Sequence, residues 1–394
     1  MNFVFLSLQR INTDRESTST SLAKELAKNH RVLYVNPAID RKTLLSAHHD
    51  QYIAAHIRDV KEGRPSLIQQ QEQLWVLNPP SVLESINWIP FTDIFSVFNK
   101  LNNKRLAGDI QKALVALNFD SFILVNDKDM FRSFYLKELL KPRRYIYLDR
   151  DYTLAFDYWK KHGTRLEPQL MQKSDAVVCN SIDFTKRAAR YNPQSYYIGN
   201  GCDLSLFDVN VNWPKPKNIE HTTQPIIGYV GALHSMRLDI PLLEQLVAAR
   251  PEWTFVFAGE EDEQFKKSRL HELSNACFVG KIHKKNIPAL VQYFDVCINP
   301  QLINEITIGN FPLKIVEYLA MGKPVVATAT NTMKEVFNDY TFLATTRDEY
   351  LIALDEALQT DSRELHAARI NFVKQYTWEN VVSIFMSVVK KIDS

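Results

Sequence analysis

The sequence predicts an α/β protein of two Rossmann-like, doubly wound domains. Three observations point there. Short apolar runs alternate with helical patterns along the chain, a polar Pro-containing stretch interrupts the series once, and the alternation then restarts. A length of 394 residues leaves room for two such domains, each with its own core.

In the first series the apolar runs that read as strands are Phe3–Leu8, Arg31–Val35, Leu74–Leu77, Ser121–Val125, Arg144–Leu148, Ala176–Cys179 and Ser195–Ile198. Amphipathic stretches between them, Ser19–Lys28, Asn103–Leu117, Met130–Leu140 and Asp183–Tyr191, read as helices. The run Asp208–Pro225 has few core-type residues and three prolines, and reads as a linker. Beyond it, strands are expected at Ile226–Val230, Thr254–Ala258, Cys277–Val279, Val296–Ile298, Val325–Ala327 and Thr341–Leu343. Helices are expected at Ile240–Arg250, Pro288–Tyr293, Pro312–Met321, Arg347–Gln359, Arg363–Gln375 and Trp378–Lys391. The expected domains are 1–205, a linker at 206–225, a second domain at 226–375 and a final helix at 376–394. Ligands of such sheets bind beyond the carboxyl ends of the strands, so two facing domains would share a central cleft.

Composition narrows the function classes. Hydrophobic content of 45% and charged content of 23% are those of a globular protein, and a net charge of +2 gives no sign of a nucleic-acid partner. Cys179, Cys202, Cys277 and Cys297 are scattered, without metal-ligand spacing, and fit a reducing, cytoplasmic setting. The N-terminal MNFVFLSLQR lacks a basic leader and a cleavage site, so it reads as a strand. No apolar run of about 18 residues suggests a membrane span, so any membrane contact would be peripheral.

The segment GNFPLKIVEYLAMGKPVVAT carries the sharpest chemistry. Pro312 suits a first helical turn, Gly322 and Pro324 end the helix, and Val325–Thr328 form a buried strand. Leu313, Val316 and Ala320 share a core-facing line, while Lys314, Glu317 and Met321 share another. Lys314 thus joins a helix start that favours phosphate, and Glu317, one turn on, can accept from ribose hydroxyls. Taken by themselves, the two residues also fit an ordinary surface Lys–Glu pair.

This segment resembles the donor-site signature of GT-B glycosyltransferases of group 1 (family 4), including teichuronic-acid and xanthan-type polysaccharide transferases. The family pattern has two acidic residues eight positions apart; the second matches Glu317, and the first falls on Gly309. The resemblance extends to IIGYVGALHSMRLDIPLLEQLVAARPEWTFVFAGEE, where Gly231 would let backbone approach phosphate and His234 and Arg237 could contact phosphate or sugar. It extends to CFVGKIHKKNIPALVQYFDVCINP, where backbone at Gly280 to Ile282 would read the base and His283 would follow without using its imidazole. Phe311, Pro312 and Leu313 complete the implied donor contacts. Glu167, Asp175, Ser181 and the turn Gly199–Asp203 hold family positions, and TWENVVSIFMSVVKKI resembles the helix that crosses back to the first domain.

The family often has a Gly-rich loop after the first strand; here LQRINTDRESTSTSLAKEL has no glycine, and Ser17–Ser21 reads as a helix cap in preference to an acceptor site. Where many members carry a His, this chain has Asp149–Arg150–Asp151–Tyr152. Asp151 first, Asp149 second, are candidate bases for the acceptor hydroxyl; equally, one would cap a helix and the other pair with Arg150. The DxD triplets Asp127–Asp129 and Asp149–Asp151 are too short to indicate a metal, and neither metal nor cofactor is expected. Trp88–Phe98, followed by Lys100, Lys104 and Arg105, reads either as a core helix with a basic end or as an interfacial segment. The expected function is transfer from a nucleotide sugar, UDP-linked by resemblance, to a saccharide or lipid-linked acceptor in surface polysaccharide synthesis. A nucleotide-sugar epimerase and a non-catalytic binding subunit of the same fold are the alternatives.

Overall fold

The computed structural model describes residues 1–13, 16–46 and 50–393. The chain forms two units, one of Met1–Gly199 together with the chain from Val381, the other of Asn200–Asn380.

Unit 1 is built on β1 (Asn2–Ser7), β2 (Arg31–Val35), β3 (Leu67–Gln71), β4 (Leu74–Leu77), β5 (Ile123–Asp127), β6 (Arg144–Asp149), β7 (Ala176–Cys179) and β8 (Ser195–Tyr197). They lie in the order β3-β4-β2-β1-β5-β6-β7-β8, all pairs parallel except β3 with β4. Phe3 to Leu6 are at most 2% exposed, so β1 is covered on both faces, as its continuous apolar run requires. The strand order reverses between β1 and β5, which is where doubly wound sheets open a crevice. The edge strand β3 was not expected: its LIQQQ sequence is mostly exposed and lacks apolar alternation.

The helix Thr18–Leu26 opens with a capping box between Ser17 and Thr20, so the hydroxyl-rich start is a cap. The expected Met130–Leu140 helix shrinks to Leu136–Leu140, because the Asp129 carboxylate accepts from Phe131 and Arg132 N–H and closes a turn first. Asn103–Leu117 is the second half of a longer helix, Thr92–Ala116. The helix Asp157–Lys173 was hidden by Gly163 and Pro168 within it. Gly163 is required by packing: a Cβ there would lie 2.2 Å from Met130 Sδ.

Unit 2 carries a parallel sheet of β9 (Ile226–Val230), β10 (Thr254–Ala258), β11 (Ala276–Gly280), β12 (Val296–Asn299), β13 (Val325–Thr328) and β14 (Phe342–Ala344). Its order, β11-β10-β9-β12-β13-β14, reverses between β9 and β12. The stretch expected as a linker is held against this unit: Ile219 is fully buried and Tyr293 Oη donates to Trp213 O at 2.6 Å. Of the last helix, Trp378–Asp393, the part from Val381 belongs to unit 1. There Phe385 packs on Phe3 and Arg144 Nε donates to Ile392 O at 2.6 Å. No helix of the described residues is long and apolar enough to cross a membrane.

Candidate functional site

In unit 2 the end of β9 meets the start of the helix Leu313–Ala320, at the reversal of strand order. That helix is buried on nearly every side: Ile315, Val316, Tyr318, Leu319 and Ala320 all face the core. Met321 is buried as well, so only Lys314 and Glu317 of their expected line remain at the open side. The Tyr318 hydroxyl accepts from Val230 N at 2.8 Å and returns a bond to Val230 O, which locks the helix onto the strand end. Pro312 stands just before the first helical residue, and no side chain caps this start. Ile315 N donates to Pro312 O at 2.9 Å, so the capacity of this start for an anion lies in the N–H groups of Leu313 and Lys314.

Lys314 Nζ donates to the Tyr229 hydroxyl and lies 4.0 Å from the Tyr229 ring centroid. Gly231, at φ +148, sits directly beside it: a Cβ would come within 2.8 Å of Lys314 Nζ and 3.0 Å of Tyr229 Oη. Gly259 in turn lets this turn pass, since its own Cβ would fall 1.8 Å from Gly231 O. Burial pulls the Lys314 ammonium down to about 7, with Glu317 opposing and Arg237 assisting. Burial pushes the Glu317 carboxyl up to about 7, against the pull of Lys284 and Lys314. Two groups of opposite kind, both half-buried and driven toward neutrality, form a site poised to gain from a charged ligand. Tyr229 and Lys284 were missed from the sequence. Tyr229 had a signal, because in a strand residue i and i+2 face the same side and Gly231 is its i+2 neighbour.

The other expected donor contacts are spread around this centre. Arg237 is exposed but near enough to act on Lys314 and Tyr229. His234 Nδ1 lies 3.5 Å from Asp262, whose carboxylate also holds Ser235. Gly280, at φ +74, has open space where a Cβ would go, and its carbonyl accepts from Gly259 N at 2.9 Å. Ile282 and Leu313 are half-buried against the core, and His283 uses its imidazole to cap the turn at Lys285. The Phe311 ring is committed to the core, 5.5 Å from the Phe337 and Tyr376 ring centroids, so only its backbone can serve a ligand. Gly309, where the family pattern has an acid, is at φ +78, a conformation that disfavours any side chain.

In unit 1, at the carboxyl edge of the sheet, the two candidate bases part company. Asp149 is fully buried between Lys128 and Arg187, the latter at 2.6 Å, while Glu167 binds the same Lys128 at 2.6 Å. Burial opposes its charge, but the two cations outweigh that and hold its carboxyl below the usual range. A sealed carboxylate held between two cations, with a lowered proton affinity, is poorly placed to accept a proton from an acceptor. Asp151 is half-exposed and pairs with Arg150 at 2.6 Å; Arg150 also binds buried Asp127 at 2.6 Å. Of the readings weighed for the pair, pairing with Arg150 is therefore met at Asp151, and helix capping by Asp149 is not. Asp175 accepts from Tyr145 N, and Ser181 caps the helix Ile182–Ala188. The DxD carboxylates Asp127, Asp129 and Asp149 are all bound to cations or turn N–H groups of the fold. Among the described residues no group of three or more metal-binding side chains converges.

Two predominantly parallel doubly wound sheets in one chain, with a glycine turn facing a lysine-bearing helix start in the second, define the GT-B fold class. Residues 224–360 match the family described as glycosyl transferases group 1, which places the match over the whole cluster of Gly231, Lys314 and Glu317. The chain is 23% identical over 249 residues to a protein of Bacillus subtilis (strain 168) named as the teichuronic acid biosynthesis glycosyltransferase TuaH. That similarity covers 60% of this chain and 61% of the relative, so the chain spans about three fifths of its length. Solved structures agree on the fold. Sucrose-phosphate synthase of Thermosynechococcus elongatus superposes with TM-score 0.65 at 16% identity, covering 99% and 98% of the two chains. Anabaena Alr3699/HepE in complex with UDP gives 0.65 at 14%, covering 99% of each. A glycosyltransferase of Rickettsia africae ESF-5 gives 0.67 at 15%, covering 99% and 98%.

Proposed function

We propose that this protein is a glycosyltransferase that takes a sugar from a nucleotide diphosphate sugar, a UDP-sugar, and passes it to a saccharide or lipid-linked saccharide. The observation that carries the reading is the half-buried Gly231–Tyr229–Lys314–Glu317 cluster at the strand-order reversal of unit 2. The UDP complex of HepE supports the base, and the teichuronic acid biosynthesis in the TuaH name supports a role in surface polysaccharide synthesis. In the reaction the acceptor oxygen bonds to the anomeric carbon while that carbon's bond to the diphosphate breaks and its electrons leave with UDP. Lys314 and the uncapped helix start meet this departing charge without a metal. Glu317 accepts from the ribose hydroxyls. Asp151, a half-exposed carboxylate of unit 1, takes the acceptor proton.

A thermal-shift panel of nucleoside diphosphates and nucleotide sugars tests the donor side, since a ligand of the folded state raises the midpoint. UDP and a UDP-sugar are expected to raise it, and UDP release is expected to require acceptor and to survive a chelator. No shift with any nucleotide, or conversion of the donor alone into an epimer, contradicts the proposal.

The two shifted groups also set a pH dependence. A bound diphosphate favours protonated Lys314, so affinity falls as pH rises through about 7, where the free site loses that proton. Ribose bonds favour ionised Glu317, so affinity also falls as pH drops below about 7. UDP-glucose, whose phosphates are both esterified, should bind best near pH 7, each limb approaching about tenfold per pH unit. Lys314→Ala should flatten the alkaline limb and Glu317→Gln the acidic one; limbs unchanged in these variants would remove the assignment.

A further inference from the structure

The first half of the Thr92–Ala116 helix presents a stripe of large apolar side chains outward. Phe91, Ile94, Val97, Phe98 and Leu101 are all exposed, Val97 at 70%, and Trp88 in the preceding loop reaches 77%. Helical spacing sets them on one side, while Phe95, Asn99 and Asn102 occupy the buried side. Phe156 and Tyr158, from the start of the neighbouring helix, are exposed as well. This arrangement is firmly held. Phe95 stacks on His162 with centroids 4.0 Å apart, and Phe131 on Trp159 at 5.1 Å. Lys161 Nζ donates to Asn87 O and Trp88 O at 2.9 and 3.0 Å, and Asn87 Nδ2 donates to Tyr158 O. A contiguous apolar ridge on a rigid base marks an interaction surface.

We infer that this ridge docks unit 1 on an anionic lipid surface. Charge chooses the occupant. Lys100 and Lys104 are exposed on the same helix beside the stripe, and Lys160 and Lys161 are exposed on the adjoining helix. The exposed acids of these two helices are Asp93, paired with Arg165 at 2.7 Å, and Asp157. A second copy would bring lysine against lysine across the contact, whereas anionic headgroups satisfy them while the aromatic rings enter the acyl boundary.

Flotation of the full chain, without nucleotide, tests this separately from sugar transfer. Vesicles of phosphatidylcholine are compared with vesicles carrying about a third phosphatidylglycerol. Binding is expected to the anionic vesicles, to weaken in high salt, and to fall by about tenfold or more in Phe91→Ser/Val97→Ser and in Lys100→Glu/Lys104→Glu. All four positions are exposed, so the variants should keep the parent melting midpoint and UDP binding. Absence of binding to anionic vesicles, or binding unchanged in both variants, overturns the inference. So does a dimer in size exclusion that Phe91→Ser/Val97→Ser converts to monomer, which assigns the ridge to a second copy.

Discussion

Lys314→Ala is expected to lower kcat/KM for sugar transfer by about a thousandfold, the scale of removing one preorganised charge donor from a departing anion. The same substitution should leave the melting midpoint unchanged or raise it. The ammonium is already disfavoured by burial, and among the described residues it is held by the Tyr229 hydroxyl and ring and by the charge of Glu317. Loss of function without loss of stability is the signature of a ligand-directed charge. Near-normal turnover in the variant would return Lys314 and Glu317 to an ordinary helix pair.

The second large effect lies in unit 1 and concerns the fold. Lys128→Met keeps the volume but leaves Asp149 and Glu167, at 0% and 2% exposure, with Arg187 as their remaining cation. Breaking a buried ion cluster on one side costs about 3–5 kcal/mol, and a unit of this size should melt roughly 10 °C lower. Lys137→Met is the contrast. Its pair with Asp175, each 31% exposed, should contribute less than about 1 kcal/mol. Equal small shifts in both variants, read by scanning calorimetry, would contradict the structural role given to Lys128 and reopen Asp149 as a chemical group.

The sequence made the double sheet legible because parallel strands are covered on both faces and so appear as apolar runs, as in Phe3–Leu6 and Ile226–Val230. It hid β3, whose exposed glutamines carry no alternation, and the helix Asp157–Lys173, whose Gly163 and Pro168 signal a break that packing overrides. The helix Leu313–Ala320 was legible from Lys314, Glu317, Gly322 and Pro324, since caps and charges there follow local rules. Tyr229 was not, because its partnership with Lys314 spans 85 residues of sequence. Nor was the difference between Asp149 and Asp151. Two residues apart in sequence, they differ in being sealed or open, and that depends on Lys128 and Arg187, which arrive from other strands and helices. Phe311 shows the converse: a motif residue whose ring serves the core.

The most direct measurement is calorimetric titration of UDP into the parent chain, Lys314→Ala and Asp151→Asn at pH 7. A donor site built from Gly231, Lys314 and the helix start of unit 2 gives one UDP bound per chain, an affinity at least about tenfold weaker in Lys314→Ala, and no change in Asp151→Asn. Equal UDP affinity in the parent and in Lys314→Ala, or no UDP binding to the parent, would contradict it.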